Sequence, residues 1–240
     1  MTSPCPFSQW GIDIVGHFPR ASGRRKFLIV AVDYFSKWAE AESVISITEA
    51  SVLKFLWENI CCRYGIPRIL ISDNGTQFNG SKVPAWCAEM GVQQRFCSVA
   101  HPQANGQVEV TNRIIVSGIK KRLEEAKGSW TEELASVLWA YRTTFKSATG
   151  ESPFSLVYGM EAVLPIEVRI PSRRTQSFNP EQNGPLIRES LDMIMEKREV
   201  AARRMERVKA AIKATYDKRV RGRRFDVGNM VLRRADALKM

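Results

Sequence analysis

The 240-residue chain is poor in the residues that build metal knuckles and disulfide frameworks. It has two histidines, His17 and His101, and five cysteines at 5, 61, 62, 87 and 97. The cysteine number is odd, two are adjacent, and no C-x-x-C pair occurs. This excludes a disulfide scaffold in favour of reduced thiols, and no spacing suits a tetrahedral zinc site. Long apolar runs are missing too. The longest is Phe27 to Val32, far short of the roughly 20 residues of a membrane helix. The first residues show no basic-then-apolar segment, so a secretory leader is not expected. Eleven prolines and fifteen glycines exclude collagen-like and low-complexity classes.

What is plentiful is apolar side chain, at 44%, and positive charge, at +11. The first is enough for a packed core. The second favours a polyanionic partner such as nucleic acid. The excess is uneven: residues 1–185 carry a net +3 and residues 186–240 a net +8.

Periodicity divides the chain. Gln9 to Val15 alternates, with Trp10, Ile12 and Ile14 on one face and Gly11, Asp13 and Val15 on the other. Phe27 to Val32 is continuously apolar, as in a strand buried on both faces. Trp38 to Val44 is a third strand, and the three predict an antiparallel meander. Thr48 caps a helix that Gly65 and Pro67 end. Arg68 to Ser72 is a short strand running into Asp73-Asn74-Gly75. A helix over about 80–90 and a strand over Val92 to Val99 follow. Residues 100–107 form a loop of turn formers, ahead of a long helix over about 108–126. Ser129 with Glu132 predicts a capping box for the next helix, and Ser152-Pro153 opens a short one ending at Gly159. Residues 160–185, with four prolines, read as a linker. Residues 186–221 are helix-forming, with an apolar seam of Ile187, Leu191, Ile194, Ala201, Met205, Val208 and Ile212 broken at Arg198. Arg223 to Asp236 looks like the start of a small strand-rich module.

Three acids stand where acids are unexpected: Asp13 inside an apolar strand, Asp73 at the end of another, and Glu109 in the first turn of the long helix. Each alone has an ordinary explanation as a salt-bridge partner, a turn former or a helix-dipole residue. Together, carboxylates converging from strand ends and a helix suit two divalent cations roughly 3.5–4 Å apart, and oxygen-only ligands suit magnesium or manganese.

Three phrases carry a family resemblance. Trp10-Gly11-Ile12-Asp13-Ile14-Val15-Gly16, Ser72-Asp73-Asn74-Gly75-Thr76-Gln77-Phe78 and His101-Pro102-Gln103-Ala104-Asn105-Gly106-Gln107-Val108-Glu109 resemble, in order, the catalytic segments of retroviral-type integrases. Thirty-five residues separate Asp73 from Glu109, as is typical of that family. Val32 to Trp38 and Ser152 to Gly159 resemble the branch encoded by Gypsy-type long-terminal-repeat retrotransposons, especially of plants.

The resemblance implies an α/β, ribonuclease H-like fold: a mixed five-stranded sheet flanked by helices. It implies Asp13, Asp73 and Glu109 as the catalytic and metal-binding triad, with Mg2+ or Mn2+, two ions per site. The activity implied is 3′-end processing and strand transfer on duplex DNA, in the nucleus, by a homo-oligomer. His101, Gln103 and Asn105 would shape the loop and approach DNA. Arg113, one helical turn after Glu109, with Lys120 and Lys121 further along, would meet phosphates. Asp33 matches no catalytic position and reads as structural. The expected organisation is a catalytic core over 1–165, a linker over 166–185, a basic helical segment over 186–222 and the start of a truncated barrel over 223–240. The N-terminal zinc-binding module usual in the family is not expected, and Asn229 stands where an acid is more usual. These departures suggest a polyprotein fragment or the product of a decayed element. The rival readings are a catalytically silent DNA-binding module and a ribonuclease H, the latter disfavoured by the 102–107 loop sequence.

Overall fold

The computed structural model describes residues 5–97, 106–126, 129–218 and 230. Five strands form one sheet: β1 (Gln9–Val15), β2 (Phe27–Asp33), β3 (Ala39–Val44), β4 (Ile69–Ser72) and β5 (Gln93–Phe96), in the order β3-β2-β1-β4-β5. β1, β2 and β3 pair antiparallel, as the short links between them require, while β4 and β5 add in parallel beside β1. The mixed five-stranded sheet expected of the sequence is therefore present.

Helices cover both faces. On one side lies α1 (Glu49–Phe55), which runs through a π-helical turn (Leu56–Cys61) into α2 (Cys62–Tyr64), with α3 (Lys82–Glu89) beside it. Thr48 Oγ1 accepts from Ser51 N at 3.1 Å, and Gly65, at φ 88°, ends the segment. Val52, Phe55, Leu56 and Ile60 bury there against Trp10, Ile12, Ile29 and Ala31. On the other side lie α4 (Gly106–Ala126) and α5 (Trp130–Thr143), with Val108, Ile115, Ile119, Leu134 and Val137 packed on Leu28, Val30 and Val32. Alternate residues of β2 thus enter opposite layers, which is why that strand is apolar throughout.

Ser129 departs from expectation. It takes the N-cap position of α5 but makes no side-chain cap; its hydroxyl lies 2.9 Å from Thr131 Oγ1 instead. Ser152 does cap α6 (Pro153–Tyr158), accepting from Ser155 N at 2.9 Å, and Gly159, at φ 82°, closes it. The stretch read as a linker holds α7 (Pro165–Arg169), α8 (Arg173–Gln176) and the start of α9 (Pro180–Asp192). Pro165 and Pro180 sit in the first helical turn, where a missing N–H costs nothing, so they start helices rather than break them.

The helical segment expected over 186–222 is divided: α10 (Ile194–Asp217) begins after α9 ends. Contacts separate the chain into units 1–205 and 206–240. Within the first, Ile194, Ala201 and Met205 are buried. Arg198, the break in the apolar seam, donates from Nε to Leu156 O at 3.0 Å and from Nη2 to Val157 O at 3.2 Å. It caps the last turn of α6, where free carbonyls and the helix dipole favour a cation. The small β module expected from residue 223 lies outside the described residues, Met230 apart.

Candidate active site

The register of the sheet places the first two carboxylates. β1 and β4 pair in parallel, with Gln9 opposite Ile69 and Gly11 opposite Ile71. Continued by two residues, that register sets Asp73, just past β4, level with Asp13 on the neighbouring strand. Asp73 then leaves the sheet through a tight turn in which its Oδ1 accepts from Gly75 N at 3.0 Å. The buried Phe78 and the bond from Gln94 Nε2 to Phe78 O, at 2.8 Å, hold the end of that turn on the sheet.

The third carboxylate arrives on α4. Val108 is fully buried over Gly11: a Cβ built at Gly11 would meet Val108 Cγ2 at 2.4 Å and Tyr34 Cε2 at 2.6 Å. Only a residue without a side chain admits this approach, which sets Glu109, in the first turn of α4, above the Asp13 end of β1. Asn112, one turn on, donates from Nδ2 to Asp13 Oδ2 at 2.7 Å, while Ile14 N donates to Asp13 Oδ1 at 2.8 Å.

The charges of the three acids act on one another. Burial lifts the Asp13 carboxyl to about 6; the bond from Ile14 opposes the rise, the charges of Asp73 and Glu109 add to it, and the bond from Asn112 opposes it. Cys97, just after β5, lies beside the same three acids. Its thiol is raised by burial and then by Asp73, Glu109 and Asp13. Among the described residues, no three His, Cys, Asp or Glu side chains stand close enough to hold a metal ion as placed. The donor set is oxygen-only and suits a hard divalent ion.

Asn112 and Cys97 were not among the residues singled out from sequence. Asn112 shares a helix face with Glu109 at i,i+3, a spacing that could have flagged it. Its Oδ1 is buried and has no hydrogen-bond partner among the described residues. Cys97 has no sequence signal, since only the parallel pairing of β4 and β5 brings it to the acids. Arg113 and Lys120 stand together, lining a groove of about 360 Å³ with Asn112, Ser117 and Val15. Lys121 lines a different groove, between α4 and α5. His101, Gln103 and Asn105 lie outside the described residues. Asp33 is structural: fully buried, it accepts from Phe7 N at 2.9 Å, Ser36 N at 2.7 Å and Ser36 Oγ at 2.6 Å, closing the β2–β3 turn.

Comparison with known proteins bears on the fold that carries these residues. Residues 3–102 match the integrase core domain. The Gag-Pol polyprotein of avian reticuloendotheliosis virus is 34% identical over 156 residues, which is 65% of this chain and 13% of the polyprotein. That of feline leukemia virus is 36% identical over 155 residues, 64% of this chain and 9% of the polyprotein. The chain therefore spans about a tenth of the length of the curated relatives it matches. Among solved structures, the HTLV-2 integrase catalytic core domain in complex with magnesium superposes with a TM-score of 0.54 at 19% identity, over 63% of this chain and 97% of that one. A chain of the simian T-cell lymphotropic virus intasome in complex with PP2A regulatory subunit B56 gamma gives 0.59 at 19%, over 69% of this chain and 59% of that one. The fold is that of integrase catalytic cores, the segment 3–102 matches the retroviral-type integrase core domain, and the homologues of the chain are retroviral Gag-Pol polyproteins.

Proposed function

We propose that the chain is the integrase of a Gypsy-type long-terminal-repeat retrotransposon, of plant origin. It carries out 3′-end processing of element DNA and strand transfer into target DNA, as a homo-oligomer in the nucleus. One observation carries this reading: Asp13 on β1 and Asp73 past β4 share a level of the sheet, and with Glu109 they are close enough to raise the Asp13 carboxyl together. Three such acids at one sheet edge are unfavourable unless a cation joins them.

Asp13, Asp73 and Glu109 would hold magnesium or manganese. Two such ions, when bound, supply the charge that activates an attacking oxygen and stabilises the leaving one in phosphoryl transfer. The remaining roles belong to the chain. Asn112 anchors one oxygen of Asp13 and Ile14 N the other, so that carboxylate is fixed in rotation. Arg113 and Lys120, on the same side of α4 as Glu109, hold the backbone of the DNA that enters. His101, Gln103 and Asn105 shape the loop ahead of Glu109. No serine or tyrosine nucleophile is needed, so no covalent protein–DNA species forms.

The test is a branched DNA that already sets a 3′ hydroxyl beside its target phosphate and so supplies the positioning in advance. The purified chain with magnesium or manganese should resolve this substrate, and Glu109→Gln should abolish resolution while leaving DNA binding nearly intact. A folded, DNA-binding chain that is inactive on this substrate would instead establish a catalytically silent binding module.

A further inference from the structure

α4 presents two basic faces. Arg113 and Lys120 lie four and eleven residues beyond Glu109, close to whole numbers of 3.6-residue turns, and so share its side. Gly118 lies nine residues beyond, two and a half turns, on the opposite side. There α4 and α5 come together: a Cβ at Gly118 would lie 2.9 Å from Val137 Cγ1. Beside that close approach runs a groove of about 390 Å³, with Lys121 and Arg122 on one wall, Tyr141 on the other and Lys146 at its end.

The groove is electrostatically incomplete. The Lys146 ammonium sits 3.6 Å over the centroid of the Tyr141 ring, and burial pushes it down to about 8. Tyr141 is held in place, its hydroxyl 3.1 Å from Thr111 Oγ1. Among the described residues, no carboxylate stands within ion-pair distance of Lys146 or Lys121; Arg122 pairs with Glu133 at 3.1 Å. A half-buried cation whose partner among the described residues is a ring face gains from an anion that enters the groove. We propose that this α4–α5 groove is a second binding site for the phosphate backbone of nucleic acid, separated by the body of α4 from the carboxylate face. A strand suits it better than a free anion. The cations are spread along the groove instead of wrapped around one point. The floor includes the exposed side of Ile114, an apolar surface that a sugar or base can cover. A polyanion also releases counterions at each contact. The inference rests on the DNA-handling function proposed above.

The experiment measures affinity of the full chain for a short fluorescein-labelled duplex between about 50 and 200 mM salt, the range over which phosphate contacts show their salt dependence. Lys121→Gln/Lys146→Gln should lower the slope of log affinity against log salt by about 1.8 and weaken binding at 0.1 M by up to roughly sixtyfold, at about 0.9 per phosphate contact. Lys146→Arg should retain binding. Arg113→Gln/Lys120→Gln should lower the slope separately, and the two losses should add, as expected of independent sites. A double groove variant with unaltered melting temperature and the parent slope overturns the inference, while resolution of branched DNA by that variant leaves the function standing. A parent chain that binds no duplex overturns both. Inorganic phosphate is titrated against the Lys146 Nζ resonance in parallel. A phosphate-induced shift with an unchanged duplex slope would make the groove a small-anion site and overturn the nucleic-acid assignment.

Discussion

Gly11→Ala probes the contact on which the active-site geometry turns. The new methyl would lie 2.4 Å from Val108 Cγ2 and 2.6 Å from Tyr34 Cε2. Carbon–carbon contacts settle near 3.5–4.0 Å, so α4 or Tyr34 must retreat by about 1 Å. Tyr34 is buried beneath the same helix, so the start of α4, with Glu109, is the part free to move. Overpacking of this kind costs about 1–3 kcal/mol. In a chain of this size that lowers the melting temperature by roughly 2–12 °C, and the protein stays folded at 25 °C. Function should suffer far more, because displacing a reacting group by about 1 Å costs on the order of a hundredfold in rate. Thermal melts followed by circular dichroism, with resolution of branched DNA in magnesium, separate the two effects. Activity within threefold of the parent, in a variant with the expected melting shift, would refute the claim that the Gly11–Val108 contact sets the position of Glu109.

Asp13→Asn or Asp73→Asn should reduce magnesium-dependent cleavage or joining by at least about a hundredfold, since under the proposed function each removes a charged ligand; calorimetric titration of the metal would show the same loss. The buried Glu40 accepts from Arg63 Nη1 and Arg142 Nη2, both at 2.8 Å, and from Trp38 Nε1 and the Tyr64 hydroxyl. Glu40→Ala leaves the largely buried Arg142 and the Trp38 and Tyr64 donors without that acceptor, while the half-exposed Arg63 turns to water, and should cost about 1–3 kcal/mol in urea unfolding, whereas no measurable loss would mean that water replaces the carboxylate. Burial raises Asp33 to about 6, with bonds from Ser36, Phe7 and Phe35 opposing. The folded state therefore binds the proton more tightly than the unfolded state, and this contribution to stability, complete below about pH 4, is lost as pH rises through about 6. Asp33→Asn should remove that part of the pH dependence, and an unchanged pH–stability profile would contradict it. Residues 206–240 hold eleven basic and four acidic side chains. Their removal should flatten the salt dependence of duplex binding without lowering the melting temperature of unit 1–205.

Much of this molecule is legible in one dimension, because its signals are local. The alternation of Gln9 to Val15, the apolar run of β2, the Thr48 cap and the Ser152-Pro153 helix start each depend on a few adjacent residues, and each appears in the structure. The three carboxylates drew notice because an acid in an apolar strand or at a strand end conflicts with its neighbours. Other features departed from the local reading or were set by partners far along the chain. Ser129 lost its expected cap to a hydroxyl two residues away, and Pro165 and Pro180 opened helices in a stretch that composition described as a linker. Arg198 interrupts a seam on paper and completes it in space, because the carbonyls it caps are about forty residues upstream. Cys97 and Asn112 reach Asp13 only through the parallel addition of β5 and the descent of α4 onto Gly11. Local patterning decides which elements form, since propensity and burial act over a turn or a strand. The approach of three like charges, and the contact of Lys146 with a ring where no acid among the described residues answers it, are decided by sheet register and helix approach, which exist only in the folded chain.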